Sequence, residues 1–334
     1  MSIWSHCTAR RRGQPGKTRL VSVVVALLLM TLSLKVNADP LRLLFLISKP
    51  SADYVAVMDT VRRGLEKTLP GQFKVSVEFV SRQNDSDLQP ESNDLIVTIG
   101  TAAADTAYRQ IANSQDLSLP ILSVLITESS FSALAKRYFG SDEGAFVRHI
   151  SSVFIDQPVD RSIRLAKLLL PAAKKTSVML GPSSAGQQAR IAKIIDKTGM
   201  ESEFVSIGAS DNPIHKIEPA LSRSDVFIPV PDSRLINLAT AKWILHLSYR
   251  HKVPVIAFSR TYLRAGALAA VFSSPDNVAK QTLELVSQII LSPEHQGRAY
   301  EPEYYSIHFN YSVAASLKVP LREEQFYRQR LDGE

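Results

Sequence analysis

The sequence predicts an α/β protein built as two doubly wound, parallel-sheet lobes joined by a hinge. Three observations carry this reading. From residue 41 onward, short apolar runs alternate with amphipathic stretches of helix length. Such regular alternation indicates a parallel sheet with helices on both faces. The series restarts near residue 150, and about eleven strands can be read in all. Strongly twisted open sheets rarely pass ~10 strands without splitting, so two sheets accommodate the count better than one.

In the first half, Leu41–Ile47 reads as a buried strand and Asp53–Leu69 as a helix, with Val57, Val61 and Leu65 on one stripe. Phe73–Val80 alternates as a strand. Asp94–Ile99 is a strand ending at Gly100, and Thr101–Ala112 is the helix that begins there. Pro120–Ile126 and Ser129–Phe139 repeat the pair. After the restart, Ser151–Ile155 is a strand, followed by a helix marked by Val159, Ile163, Ala166 and Leu170 and stopped by Pro171. Strands follow at Ser177–Leu180, Glu201–Ile207, Asp225–Val230, Val253–Phe258, Leu268–Phe272 and Tyr304–Phe309. Helices are expected at Ser183–Lys197, Pro213–Leu221, Ser233–Lys252, Asp276–Leu291 and Tyr311–Leu317. No linker rich in Gly, Ser or Pro separates the halves, so the crossover near His149–Pro158 is expected to be ordered.

The 334 residues carry a formal charge of +7, but the excess sits at one end. Residues 1–38 hold six bases and no acid, leaving 33 basic against 32 acidic residues in the rest. That balance gives no argument for nucleic acid or an anionic surface as partner. The same segment has the parts of an export signal: a basic stretch (Arg10 to Arg19), an apolar run from Leu20 to Leu34, and Val36-Asn37-Ala38 before Asp39. The apolar run is short of the roughly 20 residues that span a bilayer. A cleaved signal, cut after Ala38, and a periplasmic mature protein are expected. The one cysteine, Cys7, lies inside it, so the mature chain can form no disulfide and offers no thiolate.

Catalytic chemistry is thinly supplied. The histidines after residue 38 are dispersed; His246 and His251 lie about 140° apart on a helix, and no metal-binding spacing occurs. Gly181-Pro-Ser-Ser-Ala-Gly186 lacks the glycine two residues after the serine that a nucleophile elbow needs. Ser183 and Ser184 are expected instead to cap the following helix. Gly100 stands alone where a dinucleotide fingerprint needs three glycines. The Gly13–Thr18 run misses the phosphate-loop spacing. The reading is non-enzymatic, with neither metal nor cofactor.

The chain does place polar residues directly after its strands. In an open parallel sheet, ligands sit beyond the carboxyl ends of strands, where helix N-termini present free N–H groups and partial positive charge. The candidates are Ser48, Lys49 and Ser51; Thr101; Thr127, Glu128 and Ser129; Ser183 and Ser184; Asp232 and Ser233; Ser259, Arg260 and Tyr262. If two lobes face each other, these converge on one binding cleft.

Several stretches together resemble the extracytoplasmic solute-binding proteins of an ABC-transporter group that includes tryptophan- and tyrosine-type binders. They are IGTAAADTAY (99–108), LPILSVLITESS (119–130), residues 151–184, DVFIPVPDSRLI (225–236), KVPVIAFSRTYLRAGALAAVFSS (252–274) and IHFNYSVAASLKVPL (307–321). The resemblance implies a type I periplasmic-binding fold: two lobes crossed by three hinge strands, with the ligand between. Residues 39–150 with 275–300 would form one lobe, and 151–274 with 301–334 the other. It also implies a receptor that closes on a small, amino-acid-like solute and presents it to an ABC permease; a monomer is expected. Thr101 matches a family threonine. Thr127-Glu128 stands where Thr-Asp is usual, Ser129 where proline often follows, and Asp232-Ser233 where Asp-Asn is usual. Site residues expected to touch ligand are Ser51, Thr101, Thr127, Glu128, Ser129, Ser183, Asp232, Ser233, Arg260 and Tyr262. Glu128 or Asp232 would pair an ammonium, and Thr101 with helix N-termini would take a carboxylate. Tyr54, Tyr262 and Phe272 are candidate walls for a flat ligand. A different role fits the departures at 128 and 129: a binding-fold protein that does not transport, serving as sensor or partner module for a membrane protein.

Overall fold

The computed structural model describes residues 39–80, 92–114, 119–208, 210–232 and 234–333. The expected export signal and Ser233 lie outside the described residues. Leu41–Ile47 forms β1, whose Leu43, Phe45 and Ile47 face one side of a sheet while Leu44 and Leu46 face the other, all buried. Helix α1 (Ala52–Thr68) starts where the Ser51 side chain accepts from the Tyr54 N–H. It buries Val57, Met58, Val61 and Leu65. Next come β2 (Phe73–Phe79), β3 (Leu95–Ile99), α2 (Thr101–Asn113), β4 (Ile121–Ile126), α3 (Glu128–Phe139), α4 (Asp142–Val147) and β5 (Ile150–Phe154).

The second series is α5 (Val159–Leu169), β6 (Lys175–Leu180), α6 (Gln188–Lys197), β7 (Glu201–Ser206), α7 (Pro213–Leu221), β8 (Val226–Pro229), α8 (Leu238–His251), β9 (Ile256–Ala257), α9 (Arg260–Arg264) and β10 (Ala269–Phe272). The chain ends with α10 (Pro275–Leu291), β11 (Ala299–Tyr300), β12 (Ser306–Phe309), α11 (Tyr311–Leu317) and α12 (Glu324–Asp332). Short pieces α4, α9, β11 and α12 carry too little periodic apolar pattern to be read from sequence; α12 buries only Tyr327 and Leu331. The strand expected over Val253–Phe258 contracts to β9. Pro254 has no N–H to give a ladder, although its carbonyl accepts from the Phe227 N–H and Val255 bridges Phe227.

The strands form two arrays. The first runs β11-β5-β4-β3-β1-β2, parallel throughout. In the second, β7-β6-β8 is parallel and joins β9-β10-β12 through the Phe227–Val255 bridge, with only β12 antiparallel. Both arrays begin with the same order: the second strand at the edge, then the first, then the third, with the direction of winding reversed between the first and third. Helices cover both faces of each. In the first array, α1 and α10 pack on one side, with Val278, Leu285, Val286 and Ile289 against β1, β3 and β4; Tyr108 and Phe131 of α2 and α3 fill the other. In the second, Ile163 of α5, Ile191 of α6 and Tyr327 of α12 pack on one side, and Ile217 of α7 and Ile244 of α8 on the other.

The chain passes between arrays three times: between β5 and α5, between β10 and α10, and between β11 and β12. These passages are bonded to one another. Gln157 Nε2 donates to Ser273 Oγ (2.7 Å), whose hydroxyl donates to the Tyr304 carbonyl (3.1 Å). Arg161 Nη1 donates to Gln157 Oε1 and to the Pro302 carbonyl, both at 2.7 Å, and its guanidinium lies 4.3 Å from the Tyr305 ring centre. Gln157 is buried, so its amide is committed to this network.

Candidate functional site: a cleft beside the chain crossings

A cleft of about 670 Å³ opens where the two arrays meet. Its first wall is the N-terminus of α3, with Thr127, Glu128, Ser129 and Ser132. Its floor is the first crossing, Ile155 to Pro158. The opposite wall belongs to the second array, with Ser183, Asp232, Phe258 and Ser259, and Arg190 and Glu301 stand at its margin. This is the placement that strand polarity dictates: each wall is made at the carboxyl ends of strands.

Five residues expected to touch ligand are therefore brought together: Thr127, Glu128, Ser129, Ser183 and Asp232. Four others are not among the lining residues. Ser51 caps α1, and Thr101 is the exposed first residue of α2. Arg260 lies over the Phe272 ring at 5.3 Å. Tyr262 is packed against Phe258, and burial pushes its phenol pKa well above the ordinary value; its hydroxyl has no hydrogen-bond partner among the described residues.

At the first wall, Thr127 Oγ1 accepts from the Ser130 N–H (3.1 Å) and so caps α3, and it also donates to Ser130 Oγ (2.7 Å). The helix's first N–H, that of Glu128, donates to Asp156 Oδ2 at 2.7 Å. A carboxylate from the crossing thus sits at the positive end of α3, where an anion is favoured. Burial nevertheless pushes the Asp156 carboxyl up to about 6, with the neighbouring Glu128 charge adding to the rise and the hydrogen bond from the Glu128 N–H opposing it.

At the second wall, Asp232 is saturated. Its Oδ2 accepts from the N–H groups of Ser183 and Ser184 and from Ser184 Oγ at 2.8–2.9 Å. Its Oδ1 accepts from the N–H groups of Arg234 and Leu235 at 2.9 and 3.2 Å. Five donors occupy the roughly four lone-pair directions of a carboxylate. Asp232 therefore clamps the turn after β6 to the turn after β8. The clamp requires Gly181, because a Cβ there would lie 2.5 Å from the Asp232 carboxyl carbon. The serines do not cap a helix as expected: neither the short turn at Ala185–Gln187 nor α6 has a side-chain cap. Their amides serve the Asp232 clamp instead.

Residues absent from the expected set are Asp156, Gln157, Arg190 and Glu301. Asp156 and Gln157 follow β5 directly, so the strand-end rule applied elsewhere selects them as well. Arg190 and Glu301 come from a helix interior and a crossing, where no sequence signal marks them. They face each other at 3.7 Å, both largely exposed. Such a pair contributes about 0–1 kcal/mol.

A family model described as "ABC transporter substrate binding protein" matches residues 78–322, and the chain belongs to that family. It is a family of extracytoplasmic, non-enzymatic solute-binding proteins. The chain is 23% identical over 249 residues to a tyrosine-binding protein of Clostridioides difficile, covering 70% of this chain and 69% of that one. Its fold is similar to the ligand-free, open structure of a substrate binding protein with adhesive properties from Clostridium difficile (TM-score 0.64, 19% identity, 85% and 97% of the two chains). It is also similar to an ABC domain in complex with L-Trp from Streptococcus pneumonia (TM-score 0.53, 17% identity, 84% and 96%). Two parallel α/β arrays crossed three times are the type I periplasmic-binding architecture. The protein is accordingly a solute-binding protein of an ABC transporter, with a small-molecule ligand and a permease as the partners its family implies.

Proposed function

We propose that the two arrays act as lobes that close on a small, amino-acid-like solute and present it to an ABC permease. The observation that carries this reading is the cleft itself, whose opposite walls come from different arrays and whose floor is the crossing. Closure is favoured only as far as ligand binds the closed form better than the open one. Glu128 and Asp156 would meet an ammonium, and Arg190 a carboxylate. Thr127, Ser129 and Ser183 would supply hydroxyls, and Phe258 an apolar wall. Asp232 acts as a positioning residue that fixes the second wall. The relatives that bind tyrosine and L-Trp support an amino-acid ligand.

The basic and apolar stretches before Asp39 support export through a cleaved signal to the periplasm. Mass measurement of the exported protein is expected to give a chain starting at Asp39; a chain retaining residues 1–38 would mean an anchor instead.

Thermal unfolding after denaturant has stripped any carried ligand tests the binding role. Amino acids, short peptides, nucleosides and sugars are offered separately. A ligand at 100 times its Kd adds about 2.7 kcal/mol, enough to raise the midpoint by several degrees. A shift with amino acids alone establishes the proposed class. No shift with any class would favour the sensor or partner-module role. That role is supported by the way the protein's own Asp156 already holds the first N–H of α3.

A further inference from the structure

Among the described residues, β2 pairs with β1 alone and is an edge of the first array. An edge strand presents a row of N–H and C=O groups and is ordinarily blunted by proline, a bulge or extra charge. β2 has no proline and no bulge: its sequence is Phe73-Lys-Val-Ser-Val-Glu-Phe79, seven residues in unbroken register with β1, and its two charges, Lys74 and Glu78, are of opposite sign and leave the strand with no net charge to repel a copy of itself. Val77 and Phe79 are 38% and 41% exposed, large apolar side chains that nothing in the cleft uses.

The strand is complementary to itself. Turned end for end about Ser76, Phe73 faces Phe79, Lys74 faces Glu78 and Val75 faces Val77. The hydrogen-bonding polarity agrees with that register. The Gln72 carbonyl and the Val80 N–H are both bonded to the β1 side. Main-chain groups alternate sides along a strand, so the even-numbered residues serve β1 and Phe73, Val75, Val77 and Phe79 point theirs outward. In an antiparallel pair about Ser76, each outward residue meets another outward residue, giving roughly eight interchain hydrogen bonds. Lys74 and Glu78 then fall at non-hydrogen-bonded positions, where side chains approach most closely. Any one-residue slip would set outward groups against inward ones. A recess of about 180 Å³ lies beside Phe73 and Val75, walled by Arg62, Leu65 and Leu69. It is on the α1 face, the same face as Phe79, and so stands ready for the partner's Phe79 ring.

We propose that β2 is the seat of a second copy of this chain, the two protomers pairing β2 antiparallel about Ser76 to make one continuous sheet. Because the whole first array runs parallel to β2, the two clefts then open at opposite ends of the dimer. The dimer differs from the monomer expected from sequence, and it stands independently of what the cleft binds.

Sedimentation velocity on the purified protein from micromolar to millimolar concentration tests this. A reversible dimer is expected. Glu78→Lys turns two attractive cross-strand pairs into two repulsive ones and is expected to weaken the dimer about tenfold. Lys74→Glu combined with Glu78→Lys restores opposite charges and is expected to recover most of that loss. Val77→Pro removes only an outward N–H and is expected to give a monomer with an unchanged circular dichroism spectrum. A wild-type chain monomeric at every concentration overturns the proposal, as does a dimer indifferent to both Glu78→Lys and Val77→Pro.

Discussion

Asp156 and Asp232 are both acids at the carboxyl end of a strand, yet their surroundings give them opposite roles. Asp232 is surrounded by donors and holds two turns. Replacing it with alanine leaves the N–H groups of Ser183 and Arg234 without their acceptor and those of Ser184 and Leu235 with only their longer backbone bonds, to the carbonyls of Gly181 (3.2 Å) and residue 232 (3.3 Å). Asp232→Ala is expected to cost about 3–4 kcal/mol in denaturant unfolding, the range for breaking a buried charged network. Asp156 is held by backbone N–H groups alone, those of Glu128 and of its own residue, and has a raised pKa. A carboxyl whose folded pKa exceeds its unfolded value binds protons more tightly when folded. Its contribution to stability is therefore greatest below about pH 4 and is lost as pH rises through about 6. Asp156→Asn keeps an acceptor for the Glu128 N–H. It is expected to flatten this part of the stability–pH curve and to add about 1–2 kcal/mol at pH 7. If the curves of the two proteins are parallel between pH 4 and 7, Asp156 is not the titrating group.

At the scale of elements, the long helices and buried strands were legible because their patterns are strong. The β1 run of apolar residues and the stripe of Val57, Val61 and Leu65 leave little choice of structure. What could not be read is where a short piece of chain docks. Nothing in Ile150–Phe154 says which sheet it joins, and nothing in Ala299–Tyr300 identifies it as a strand, since its pairing with Ser152 and Val153 is a tertiary event. The candidate site was legible in the same uneven way. Strand ends located Thr127, Glu128, Ser129, Ser183 and Asp232, whereas the partners of Asp232 depend on two turns 49 residues apart. The start of α10 is a readable signal with a measurable consequence. Ser274 and Asn277 form a reciprocal capping box, and Asn277 Oδ1 also accepts from Ser306 Oγ of β12. Asn277→Ala is expected to lower stability by about 1–2 kcal/mol, since it removes the acceptor for the Ser274 N–H and the tie to β12, while the Asn277 N–H keeps its bond to Ser274 Oγ. A loss below a few tenths of a kcal/mol would show the box to be incidental.

At the scale of the molecule, the two arrays are linked through a small set of polar atoms at the crossings. Gln157 joins Ser273 and Arg161, and Arg161 reaches the third crossing through Pro302. Gln157→Ala separates these strands of chain without touching either core. It is expected to cost about 1–2 kcal/mol in global stability. If the cleft closes as proposed, it should also change ligand affinity although the side chain's bonds all go to protein. Calorimetric titration of the ligand found in the thermal screen checks the second effect. An unaltered affinity would place the hinge elsewhere.

The third crossing also bears on how the protein can be divided. After α10 the chain gives its next strand to the first array and the following one, with α12, to the second. Neither half is thus a continuous stretch of sequence, and a cut after Leu291 strips an edge from both at once. The two halves share one fate: a protease nick there releases a tail on which each depends, and heating is expected to melt them in a single transition.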